Sequence, residues 1–402
     1  MQDATISLNK LRKAYRLAVG CLFFMQGLCF ASWASRIPSI QQKLGVSEMS
    51  LGLILLALPA GSMIGLPFSG WLVTRFGSKR VAANALLVYS LLLLAVGFSP
   101  TIWMLVAGLV LFGMAGNISN IAINTQAVGV EARYGRNIMA SFHGLWSLAG
   151  FAAAGIGSFM TGRNIVPFNH FLIITALLLA GIAACFQYLL PEEQGKATTG
   201  AKLFGKPDKQ LLGLGLIAFC CMLCEGAMFD WSGIYFKKVV EAPPAMIGAG
   251  YTAFMCTMAA GRFFADRVTS HLGFKKTVRI SSVLIASGLG LSVVLPHLYT
   301  AIAGFLLVGF GVSSVVPLVY SEAGKSKIFA PGPALAAVSS IGFLGFLIGP
   351  PLIGIIAGLF SLRLSFLFIA IIGILIFIIA GSPAKSGAAG GRPDKTDSTL
   401  MR

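Results

Sequence analysis

Charge is scarce in this chain. Asp, Glu, Lys and Arg make up 11% of its 402 residues, where a soluble domain averages about 25%, and mean hydropathy is +0.86. That deficit excludes an ordinary soluble domain and leaves an integral membrane protein. Acids are scarcer still, 13 Asp and Glu beside 30 Lys and Arg, for a net charge of +17. The excess does not mark a nucleic-acid binder, because the basic residues fall in short gaps between apolar runs, where membrane proteins keep their topology signals.

Other absences narrow the function. The seven cysteines (21, 29, 185, 220, 221, 224 and 256) all lie inside apolar runs, so no disulfide framework is expected. Cys221 and Cys224 have CxxC spacing without a second pair. There is no Gly-rich phosphate loop, which argues against ATP-driven transport. There is no serine–histidine pair, nucleophile motif or metal-ligand spacing, so neither an enzyme nor a cofactor or metal is expected. The N-terminal apolar run follows basic residues as a signal peptide would. It lacks a small-residue cleavage pattern and reads as a retained first helix.

What is present is a series of apolar runs long enough to cross a bilayer at ~20 residues each. They predict an all-α membrane protein of twelve helices, at 14–37, 49–74, 80–98, 101–130, 137–160, 169–190, 211–236, 244–266, 277–296, 298–321, 333–358 and 363–381. Residues 191–210 form the longest polar insert between helices. The expected organisation is a six-helix bundle over 1–190, a cytoplasmic linker over 191–210, a second six-helix bundle over 211–381 and a disordered cytoplasmic tail over 382–402. With the N-terminus inside, 24 Lys and Arg, Arg262 among them, fall on the cytoplasmic side and six outside. That asymmetry places both termini in the cytoplasm. The halves repeat at an offset of 196: Gly65 meets Gly261, Gly77 meets Gly273, Ala107-Gly108 meets Ala303-Gly304, and Gly113 meets Gly309. Such repeats build two bundles around a central cleft.

Gly70-Trp71-Leu72-Val73-Thr74-Arg75-Phe76-Gly77-Ser78-Lys79-Arg80 resembles the loop signature of the major facilitator superfamily, with Thr74 where the signature has an acid. The resemblance implies a gating role for Arg75, Gly77 and Arg80. In the second copy it implies one for Asp266 and Arg267, displaced by one turn. Ala31 to Pro38, Ser141-Phe142-His143 and Glu225 to Trp231 are similar to the fucose-permease-like branch, especially YbjJ-type bacterial members. That likeness implies a bacterial inner (cytoplasmic) membrane. Sugar permeases of that branch carry acids in helices one and four; Gln26 and Asn117 stand in those regions here.

The remaining candidates are polar groups inside apolar runs. An ionised acid at mid-bilayer costs roughly 2.5–3.5 kcal/mol on insertion scales, so Glu225 and Asp230 require a wet cavity or a partner. They are five residues apart and diverge by about 140° on a straight helix. Glu225, nearer the midplane, is the expected proton-coupling site, with His143 as a further candidate; Asp230 suits a substrate hydroxyl or ammonium. Either acid could instead be a fixed charge paired with Arg or Lys, and His143 a packing group. Asn117, Asn120 and Asn124 share one helical face and so do Gln26, Trp33 and Arg36. With Trp146, Trp231 and Tyr235 they make up the expected substrate-binding set. For the amides the alternative is helix–helix hydrogen bonding, and for Trp33 and Arg36 an interfacial position.

The expected function is a secondary transporter of a small polar, sugar-like solute, working by alternating access and coupled to protons as a symporter. Its partners are substrate, protons and lipid, without nucleic acid, and a monomer is expected. The alternative is a proton-driven exporter of amphiphilic compounds.

Overall fold

Hydrocarbon offers the backbone no hydrogen-bond partners, so a chain this apolar satisfies its amides within helices. The computed structural model describes residues 2–134, 138–191, 209–323 and 331–381, and every element longer than one turn is an α-helix. In order these are α1 (Gln2–Leu44), α2 (Glu48–Leu55), α3 (Ala57–Phe76), α4 (Ser78–Phe98), α5 (Ile102–Tyr134), α6 (Met139–Gly162), α7 (Pro167–Phe186), α8 (Lys209–Lys238), α9 (Ala249–Val294), α10 (Leu298–Ala323), α11 (Pro331–Leu359) and α12 (Leu362–Gly381). The expected linker and tail fall largely outside the described residues.

Local chemistry sets the breaks. Gly45 ends α1 at φ 63°, a conformation that favours glycine. The Ser47 hydroxyl then caps α2 by accepting from the Ser50 amide at 3.2 Å. Glu131, at the end of α5, accepts hydrogen bonds from the amides of Ile138 and Met139 at 2.7 and 2.8 Å. An acid thus sits on the positive end of α6. Two elements differ from expectation. The expected 49–74 helix is interrupted at Leu56, giving α2 and α3. The expected helices 244–266 and 277–296 run together as α9, bent at Gly273 with φ 77°. Eleven helical stretches among the described residues are long and apolar enough to cross a membrane, and the part of α9 ahead of Val268 is not among them. That part carries Arg262.

The repeat survives as geometry. Gly77 has φ 80° and Gly273 φ 77°, so the same left-handed turn recurs 196 residues apart. A Cβ on Gly113 would strike the Leu58 carbonyl and the Ser62 amide, and one on Gly309 would strike the Phe254 carbonyl and the Met258 amide. Gly113 and Gly309, Leu58 and Phe254, and Ser62 and Met258 each differ by 196.

The helices before residue 191 pack on one another, as do those after 209. Between the two groups, α1 meets α8, α2 meets α11, and α6 meets α9. While α6 meets α9 from Ser158 and Gly248 down to Gly144 and Phe263, the α1–α8 and α2–α11 contacts gather at the end where α1 and α8 finish. There Lys238 pairs with Glu48, and the Lys237 Nζ donates to Gln42 Oε1 at 2.7 Å. A Cβ on Gly233 would lie 2.6 Å from the Pro38 ring, and one on Gly354 would lie 2.8 Å from the Gly52 Cα. At the opposite end, the Gly77 and Gly273 end, α5 packs within the first group and α10 within the second.

Candidate functional site

A cavity of about 640 Å³ lies between the two groups. Helix α1 contributes Gln26 to it, α5 contributes Asn117 and Asn120, and α6 contributes His143 and Trp146. From the second group α8 contributes Glu225 and Asp230, and α9 contributes Arg262. The rest of the wall is mostly apolar, with a set of aromatic rings that includes Phe23, Phe30, Tyr89, Phe229 and Phe346.

Glu225, near the middle of α8, faces a cation. Arg262 Nη2 is 3.5 Å from Glu225 Oε1. The Arg262 Nη1 donates to Ser147 Oγ at 2.6 Å, and the guanidinium stands 5.8 Å from the centre of the Trp146 ring. Ser147 and Trp146 are on α6 and Glu225 is on α8, so one side chain joins the two helix groups. Counting charges along the sequence puts Arg262 among the cytoplasmic basic residues; the structure puts it in the cavity. A basic residue inside an expected membrane helix, 37 positions from the acid it pairs with, was the available signal, and the loop tally concealed it.

The amides serve two purposes. Gln26 Nε2 donates to the Gly116 carbonyl at 3.2 Å, and Asn117 Oδ1 accepts from Ser69 Oγ at 2.9 Å. Both side chains border the cavity while tying α1 and α3 to α5. Asn124 does not border it, and its amide turns back to the Asn120 carbonyl at 2.9 Å. His143 lines the cavity with its ring centre 5.2 Å from that of Phe23.

Besides Asn124, four expected binding residues lie elsewhere. Trp33 and Trp231 are fully buried with no partner for the indole nitrogen. Tyr235 donates to the Ser292 carbonyl at 2.8 Å, with its ring centre 4.2 Å from that of Phe366. Successive helical positions are rotated by about 100°, so once Asp230 faces the cavity, Trp231 packs behind it. Trp33 and Arg36 do share a face with Gln26, but at their depth the two groups have already closed. Arg36 instead donates to Thr161 Oγ1 at 3.0 Å and to the Ile165 carbonyl, fastening α1 to the end of α6. Replacing Arg36 by Ala is therefore expected to cost about 1.5–3 kcal/mol, the range for hydrogen bonds from a charged group. A lowered melting temperature with unchanged ligand selectivity would be the readout. Of the expected gating residues, Gly77 makes the turn between α3 and α4, with Arg75 in the last turn of α3 and Arg80 in the first turn of α4. The side chains of Asp266 and Arg267 lie outside the described residues.

A central cavity between two repeated helix groups is the architecture of a known transporter class, and comparison decides the matter. The family model described as Major Facilitator Superfamily matches residues 19–321 and 214–398. The chain belongs to the major facilitator superfamily. It is 34% identical over 362 residues to an uncharacterised MFS-type transporter of Yersinia pestis, covering 90% of this chain and 92% of that one. It is 30% identical over 371 residues to the membrane protein MosC of Rhizobium meliloti, covering 92% and 90%. Among solved structures it shares its fold with the nucleoside transporter NupG, with a TM-score of 0.75 at 13% identity, covering 91% and 98% of the two chains. As a superfamily member the protein is a multi-pass membrane transporter. Membership also fits the matched glycine turns at 77 and 273, which lie at the same place in each half of the repeat.

Proposed function

We propose that the protein moves a small polar solute across the bacterial inner membrane by alternating access, coupled to protons through Glu225. In this reading the chain crosses the membrane twelve times in two six-helix bundles, over 1–190 and 211–381, with 191–210 as the linker, 382–402 as a tail and both termini in the cytoplasm. The twelfth crossing is the part of α9 ahead of Gly273, where Arg262 lowers the apolar average but faces the cavity rather than lipid.

The observation that carries the coupling is Arg262 between Glu225 and Ser147. While Glu225 is ionised, the guanidinium is shared between α8 and α6. A proton on Glu225 removes the charge that attracts Arg262 and leaves the cation to α6 and to solutes in the cavity. Proton occupancy then alters a contact between the two helix groups, which a coupled carrier requires. The contacts at the Lys238 end, with the cavity beyond them, correspond to a state closed towards the outside. Gln26, Asn117 and Asn120 present amides to a hydroxylated solute. Gly77, Arg75 and Arg80, with Asp266 and Arg267 in the second copy, sit by the turns that flank the cytoplasmic opening in this orientation.

Purified protein in liposomes tests the reading. Glu225→Gln is expected to reduce uptake driven by a pH gradient by about tenfold or more, equivalent to at least 1.4 kcal/mol, while solute exchange at equal pH persists. PH-driven uptake with unaltered pH dependence would remove Glu225 from the coupling step. The aromatic rings in the wall favour a second reading, export of amphiphilic compounds. Resistance that falls on deletion of the gene would support export.

A further inference from the structure

The charges facing the cavity do not balance. Glu225 and Arg262 oppose each other at 3.5 Å. Asp230 lines the same cavity, about 7.5 Å further along α8, and among the described residues no hydrogen bond or ion pair reaches its carboxylate. Among the described residues no second cation lines the cavity apart from what His143 could supply on protonation.

The cavity that Asp230 lines also holds an aromatic cluster. Phe229, the neighbour of Asp230 on α8, has its ring centre 5.4 Å from that of Phe30, 6.5 Å from Trp146, 6.3 Å from Tyr251 and 6.4 Å from Phe346. These rings come from α1, α6, α9 and α11, so the cluster belongs to both helix groups. The Tyr251 hydroxyl is buried without a partner. A lone carboxylate taken out of water carries a penalty of several kcal/mol, which hydrogen bonds from neutral groups offset only in part and an opposite charge offsets best. Aromatic faces act in the same direction, since the ring quadrupole attracts cations and repels anions.

Resting on the transporter reading above, we propose that the solute carries a protonated amine, and that Asp230 and the aromatic cluster around Phe229 receive it. The hydroxylated part of the solute faces the amides of Gln26, Asn117 and Asn120. A solute bearing a carboxylate or phosphate but no amine would meet Asp230 with like charge and is excluded. The preferred class is therefore small hydroxylated amines, such as amino sugars, in place of neutral sugars.

Matched ligands test this on the full-length purified protein. Thermal shifts would be recorded for a panel of hydroxylated amines, each beside its hydroxyl isostere and its N-acetyl derivative; glucosamine, glucose and N-acetylglucosamine form one such set. The expected result is that at least one amine stabilises the protein with an affinity at least about tenfold above both neutral counterparts, a difference of 1.4 kcal/mol. Asp230→Asn should abolish that preference and Asp230→Glu should keep part of it. The proposal is overturned if no amine exceeds its counterparts, if neutral or anionic ligands bind as well, or if Asp230→Asn retains the preference. None of these outcomes bears on proton coupling, which the Glu225→Gln exchange assay reads separately.

Discussion

Arg262→Ala is expected to abolish uptake and to lower thermal stability together. The substitution removes the ion-pair partner of Glu225 and the donor to Ser147 in one step. Breaking a fully buried pair costs roughly 3–5 kcal/mol. The Arg262 side chain is 22% exposed and that of Glu225 9%, so about 2 kcal/mol is the appropriate expectation after discounting for solvent screening. The informative comparison is the double variant Glu225→Gln/Arg262→Met. Replacing both partners leaves no unpaired charge, so melting temperature should recover while uptake stays lost. Arg262→Lys should lie between, because a single ammonium cannot reproduce a fork that reaches two helices at once. Wild-type uptake and stability in Arg262→Ala would show that the guanidinium neither supports the fold nor takes part in the cycle.

Gly354→Trp is expected to hold the protein in the opposite conformation. A Cβ at Gly354 would lie 2.7 Å from the Glu48 carbonyl and 2.8 Å from the Gly52 Cα, so α2 and α11 meet backbone to backbone. An indole there opposes the state described here and leaves a state with that end separated untouched. Overpacking costs about 1–3 kcal/mol or more, which shifts the balance between the two states by about fivefold to more than a hundredfold. Spin labels at Ser47 and Glu241, on the two sides of that contact, should show a longer distance dominating in the variant, with transport lost. If the short distance still dominates, the glycine contact is not what permits closure.

Much of the architecture is legible in the sequence. Apolar runs and turn residues locate the helices, and the 196-residue offset finds paired glycines, of which 77 and 273 make positive-φ turns and 113 and 309 admit a backbone carbonyl. The misses have distinct physical causes. Helical periodicity gives a residue's face but not the depth at which two helices separate. Trp33 and Arg36 sit on the face of Gln26, yet they fall where Pro38 and Gly233 already touch. Trp231 was grouped with Asp230 by adjacency, though neighbours on a helix point about 100° apart. The bends at Leu56 and Gly273 depend on packing and on one backbone torsion, neither of which hydropathy records. The partner of Glu225 depends on a contact between α8 and α9, so no local pattern contains it.

The paired glycines at 113 and 309 also constrain where the molecule can deform. In each, a helix backbone rests on the carbonyl of another helix, with the Thr257 hydroxyl also pressed against Gly309. Such a seat has no slack: sliding by even one atom's width would drive a carbonyl into a Cα. The α3–α5 and α9–α10 pairs are therefore expected to travel as welded struts. The freedom that a carrier needs is left to the softer seams lined by side chains, where α1 and α6 face α8 and α9.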